Sequence, residues 1–164
     1  MSRNPVTVFD CVVFLQGLLS KSSPAVACLE LVEQERVRLV MSEAVLAEIK
    51  DVLSRPLLRE RNPALTDEKV ENLIDLILAK AEFVETVPAH FSYSRDPNDE
   101  PYLNLAIETE AIFLFSRDND LLDLMTSFAD EAKDFRRRYR RIKILNPVEF
   151  LEEMRQLDDE RDVN

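Results

Sequence analysis

The strongest constraint on this chain is an alternation of two periods. Short runs of β-branched and aromatic residues recur along it, and each is followed by a segment whose apolar residues repeat at helical spacing. Residues 6–9 read as a buried strand, and Val37, Leu39 and Met41 alternate as a second strand would. Residues 83–87 suggest a short edge strand closed by Pro88. Residues 111–115 form a continuous apolar run of the kind buried on both faces, and residues 142–145 read as a last strand. Between them lie helical patterns. One covers residues 12–19, one starts at Pro24, and one is capped by Ser42 and ended by Pro56. The clearest is capped by Thr66 and carries Val70, Leu73, Ile74, Ile77 and Leu78. A further helix carries Leu103, Ala106 and Ile107, and Asn146-Pro147-Val148-Glu149 opens the last one. Strands separated by helices cannot pair as hairpins. The expected architecture is therefore α/β, a mainly parallel sheet flanked by helices. With 164 residues and no linker or repeat, we expect a single domain over residues 1–151, followed by an acidic C-terminal tail, residues 152–164.

The scarce residue types narrow the chemistry. A single glycine, Gly17, excludes a glycine-rich phosphate cradle. The single histidine, His90, sits in a polar stretch near Pro88 and reads as a surface loop residue; no nucleophile motif accompanies it. Cys11 and Cys28 have no metal or redox spacing and read as small buried hydrophobes. Polar catalysis would thus rest on Asp and Glu. No apolar run has the length of a membrane span, and residues 1–5 are too short and polar for a secretory signal; a cytoplasmic protein without membrane attachment is expected. The net charge of −11 argues against a nucleic-acid ligand when taken as a total. Its distribution is uneven: residues 152–162 are acidic, whereas Arg136, Arg137, Arg138, Arg140 and Arg141 form a basic run.

In open parallel sheets, ligands bind beyond the carboxyl ends of the strands. Asp10 directly follows the first expected strand, and Asp118 lies just past residues 111–115. Asp96, Asp99 and Glu100 lie in the loop that opens the helix before that strand. Glu48 sits on the Ser42-capped helix at the border of its apolar stripe, between Val45 and Val52. Each acid has a structural alternative: Asp10, Asp96, Asp99 and Asp118 all suit helix caps, and Glu48 suits a solvated surface. Taken together, converging carboxylates repel one another and call for a cation. Magnesium and manganese both prefer oxygen ligands. Such an ion would permit phosphodiester hydrolysis without histidine, cysteine or lysine.

Four segments carry a family resemblance: Val8-Phe9-Asp10-Cys11-Val12; Ser42-Glu43-Ala44-Val45-Leu46-Ala47-Glu48-Ile49; Arg95-Asp96-Pro97-Asn98-Asp99-Glu100-Pro101-Tyr102-Leu103; and Ser116-Arg117-Asp118-Asn119-Asp120-Leu121. In order and spacing they resemble the PIN-domain family, in particular the VapC-like ribonucleases that are toxin components of toxin–antitoxin systems. The resemblance spans Val6 to about Leu151. It implies a Rossmann-like parallel sheet and Mg²⁺- or Mn²⁺-dependent endoribonuclease activity. It further implies that Asp10, Glu48, Asp99 and Asp118 are the catalytic and metal-binding acids. Asp120, Asp96 and Glu100 would be accessory, and Glu100 could exchange roles with Asp99. The implied partners are an RNA substrate, a cognate antitoxin protein and a second copy in a homodimer. The basic run Arg136, Arg137, Arg138, Arg140 and Arg141 becomes a candidate for RNA phosphate contacts; the alternative is a solvated helix face paired with Glu131, Asp134 or the acidic tail.

The chain departs from the family at one place. Many PIN domains have Asp-Thr-Asn in the first motif, and here Val12 replaces the amide. This departure supports a second expectation, a weak or inactive PIN fold that binds RNA or protein. A third, a phosphohydrolase with Asp10 as nucleophile, would need a second acid two residues on, where Val12 stands.

Overall fold

The computed structural model describes residues 4–163. Residues 1–3, on which the reading against a secretory signal partly rests, lie outside the described residues.

The alternation seen in the sequence becomes an α/β sandwich. The strands are β1 (Val6–Phe9), β2 (Arg38–Ser42), β3 (Glu82–Val84), β4 (Phe113–Phe115) and β5 (Lys143–Leu145). They form one sheet in the order β3-β2-β1-β4-β5, and every pairing is parallel. Parallel neighbours require crossovers, and the helices supply them. Helices α1 (Cys11–Leu19) and α2 (Pro24–Glu33) connect β1 to β2. Helices α3 (Glu43–Ser54), α4 (Pro56–Arg61) and α5 (Asp67–Lys80) lead to β3. Helix α6 (Glu100–Glu108) precedes β4, α7 (Asn119–Leu122) and α8 (Asp130–Arg138) follow it, and α9 (Pro147–Val163) closes the chain. The chain leaves β1 towards β2 on one side, while β4 and β5 lie on the other. The strand order therefore reverses between β1 and β4, and a crevice opens there at the carboxyl ends.

Local chemistry accounts for the element boundaries. The Ser42 and Thr66 side chains accept from the Val45 and Lys69 amides, so both expected caps are formed. Pro56 ends α3 by opening α4 rather than by starting a loop. Asn146 and Glu149 cap α9 reciprocally, each side chain accepting from the other's amide. The edge strand is shorter and one residue earlier than residues 83–87. The bidentate Arg38–Glu82 pair holds the β2–β3 register there. The core is the layer between sheet and helices, with Phe9 stacked on Phe115 at 4.5 Å and Phe150 of α9 edge-on to Phe113.

Residues 152–163 are the larger part of α9 and continue its helix without a break. Met154 is buried, and Arg36 of the α2–β2 connection pairs with Asp158. Cys11 and Cys28 are buried free thiols, each pushed up to about 12 chiefly by burial. Among the described residues no single helix is long and apolar enough to cross a membrane.

Candidate functional site

The reversal point of the sheet assembles the acids. Strand β1 ends at Phe9, and the Asp10 amide donates to the Phe115 carbonyl at 2.9 Å, which locks the ends of β1 and β4 side by side. Asp10 then caps α1: its Oδ1 accepts from the Val12 amide at 3.3 Å. Its Oδ2 accepts from the Ser116 hydroxyl at 2.6 Å, and Ser116 is wholly buried. The Ser116 oxygen in turn accepts from the Asp118 amide at 2.9 Å. One hydroxyl thus joins both strand-end acids. Burial raises the Asp10 carboxyl above its ordinary range; the Ser116 and Val12 donors oppose that, and the charges of Asp118 and Glu48 add to it.

On the other side of the crevice, residues 97–99 make a single 3-10 turn, and Asp96 caps it by accepting from the Asn98 amide. The turn swings Asp99 inward until it is 6% exposed, and its Oδ2 is buried with no hydrogen-bond partner. Carboxylate oxygens of Asp96, Asp99 and Asp118 all lie within 4.8 Å of one another. The Asp99 carboxyl is pushed up to about 8, first by burial and then by the charges of Asp118, Asp96, Asp10 and Asp120. Ionised carboxylates buried without a counter-charge are costly, so this group of acids favours a bound cation.

The acids of the sequence analysis therefore fall into three groups. Asp96, Asp99 and Asp118 form the tight cluster. Asp10 and Glu48 flank it without joining it. Glu48, half-buried on α3, accepts from the Tyr102 hydroxyl of α6 at 2.5 Å. Glu100 and Asp120 have other partners: Glu100 Oε1 accepts from the Tyr93 amide at 2.8 Å, and Asp120 pairs with Arg95, which also holds Asp123. Sequence reasoning gave no role to Tyr102 or Ser116. The hydroxyls at these positions were the available signal, and their partners lie 54 and 106 residues away. His90 is a half-buried loop residue bonded to Glu108, remote from the acids in partner and position.

Two clefts are lined by sequence neighbours of the clustered acids, though not by the acids themselves. One, of about 460 Å³, includes Pro97 and Glu100, the neighbours of the Asp99 turn. The other, of about 290 Å³, includes Arg117 and Asn119, the sequence neighbours of Asp118.

The basic run lies at the other end of the sheet. Arg137, Arg138, Arg140 and Arg141 line a cleft with Ala111 and Ile142, which precede β4 and β5. Arg136 turns inward and donates to the Leu124 and Ser127 carbonyls. Arg137 and Arg138 pair with Asp134, whereas Glu131 accepts from Ser94.

Comparison with known proteins adds two findings. A family model, the PIN domain, matches residues 6–120. An uncharacterized protein of Methanocaldococcus jannaschii, MJ1680, is 29% identical over 149 residues, covering 89% of each chain.

Proposed function

The chain belongs to the PIN-domain family, and from that premise we propose that it is a divalent-cation-dependent endoribonuclease acting as the toxin of a toxin–antitoxin pair. PIN domains are generally nucleases that hold divalent metal through acidic side chains. The observation that carries the proposal is the unpartnered, buried Asp99 Oδ2 grouped with Asp96 and Asp118. An all-oxygen donor set of this kind suits Mg²⁺ or Mn²⁺. The antitoxin partner and the preference for RNA rest on the four-motif resemblance.

In this reading Asp96, Asp99 and Asp118 hold the ion. When bound, it neutralises the carboxylates, polarises a phosphodiester and lowers the pKa of a coordinated water. The rest of the work belongs to this chain's own groups. The Asp120 amide holds Asp118 Oδ1 at 2.9 Å, which leaves Oδ2 to face the pocket. Ser116 keeps Asp10 turned into the crevice. Tyr102 occupies one oxygen of Glu48, and the other remains an acceptor for a water proton. Arg117, exposed beside Asp118 and donating to Gln16, would be the nearest cation in sequence for a phosphate flanking the scissile one.

The second reading, a binding module without catalysis, is favoured by one observation. Val12 offers only its backbone amide, and that amide is spent on Asp10. One experiment separates the two. The full-length protein is incubated with labelled single-stranded RNA and Mn²⁺, with and without chelator, beside Asp118→Asn and Asp10→Asn. Metal-dependent cleavage lost by at least roughly a hundredfold in both variants is expected if these groups stabilise the transition state. Cleavage that survives chelation or either substitution overturns the assignment, and RNA binding without cleavage selects the second reading.

A further inference from the structure

The cleft of about 440 Å³ at the amino ends of β4 and β5 is the most basic feature of an acidic protein. Four arginines of one short run line it. Arg137 and Arg138 share a single acid, Asp134, and Arg138 also lies over the Tyr139 ring, 5.1 Å from its centroid. Arg140 and Arg141 are exposed and have no ion pair among the described residues. Glu110 is the one acid in the lining, so positive charge dominates. The floor is apolar, formed by Ile107, Ala111 and Ile142. The chain's own acidic helix does not fill this cleft: Asp158 and Glu153 of α9 are engaged by Arg36 and Lys143.

Position separates this cleft from the acids. Ala111 and Ser116 lie before and after the same strand. At about 3.3 Å per residue the two ends are roughly 16 Å apart. A path over the surface is longer. At about 3.4 Å per stacked phosphate, a stacked strand reaching from one to the other has about five nucleotides.

We infer that the arginine cleft is an exosite for the phosphate backbone of RNA, engaged only by substrates long enough to reach it from the acid cluster. This rests on the ribonuclease reading. Guanidinium groups pair bidentately with phosphate, and a row of them tracks a backbone without reading sequence. The cleft thus supplies the cationic attraction that the net charge of −11 withholds elsewhere.

The test measures binding and cleavage separately. Binding of 25-nucleotide and 4-nucleotide single-stranded RNAs to the full-length protein is followed by fluorescence anisotropy in EDTA across a salt series. Arg140→Ala/Arg141→Ala is compared with wild type and with Arg140→Lys/Arg141→Lys. For the 25-mer, the alanine pair should bind roughly tenfold more weakly at 0.1 M salt and lower the log–log salt slope by at most about 1.4. The lysine pair should keep the slope. With Mn²⁺, cleavage of the 4-mer should be unchanged in the alanine pair. An unchanged 25-mer slope overturns the exosite, even if cleavage proceeds. An arginine-dependent slope on RNA that is never cut supports the exosite and removes the ribonuclease reading. If the alanine pair instead loses self-association in sedimentation while its RNA slope is intact, the cleft is an interface between copies and the inference fails.

Discussion

Asp99 is the residue on which the site turns. A buried carboxylate oxygen is normally hydrogen-bonded; here one has no partner, and the charges of four neighbouring acids bear on it. Its carboxyl is raised from an ordinary 3.8 to about 8. Between those values the folded metal-free protein holds a proton that the unfolded chain has released. The group's contribution to stability is therefore complete below pH 4 and is lost as the pH rises towards 8. Asp99→Asn removes the titration. In chelating buffer, wild type should lose melting temperature relative to Asp99→Asn across that window, and by pH 8 the variant should melt a few degrees higher. Adding Mn²⁺ should stabilise wild type by mass action and the variant less. Parallel melting curves from pH 4 to 8, with equal manganese shifts, would remove Asp99 from the metal set.

At the scale of elements, the pairing of α3 with α6 positions the acid that the sheet does not supply. Glu48 reaches the crevice because the Ser42 cap starts α3 directly after β2, and Val45, Ile49 and Leu53 bury the adjoining face. Helix α6 then presents the fully buried Tyr102, whose hydroxyl donates to Glu48. Tyr102→Phe keeps the ring and deletes that donor. Hydrogen bonds to charged groups contribute about 1.5–3 kcal/mol. We expect cleavage to fall roughly tenfold or more and the manganese concentration for half-activity to rise. In a Glu48→Gln background, Tyr102→Phe should add little further loss, because the two act through one interaction. Additive losses would assign Tyr102 to packing alone.

For the molecule as a whole, α9 packs against α2 and against strands β4 and β5. Removing residues 152–163 takes away buried Met154 and the ion pairs of Asp158 and Glu153. Burial of one such side chain stabilises by about 1.5–3 kcal/mol, which corresponds to a melting temperature lower by roughly 3–12 °C for a domain of this size. An unchanged melting temperature would support the reading of this stretch as an acidic tail outside the domain. What the sequence by itself determined was local. Caps such as Ser42, Thr66 and Asn146 act within four residues, and strand and helix periods are visible in a short window. The alternation of periods therefore predicted the α/β fold and placed Asp10 and Asp118 at strand ends. Tertiary structure decided what depends on distant partners. The 3-10 turn brings Asp99 beside Asp96 and Asp118, and Glu100 is taken up by the Tyr93 amide. The Tyr102–Glu48 and Ser116–Asp10 contacts join segments 54 and 106 residues apart. The arginine run, continuous in sequence, was divided when Arg136 turned inward, and the direction of the parallel strands put the rest at the end opposite the acids. No local rule carries such information, because only the packed sheet sets which strand ends face each other.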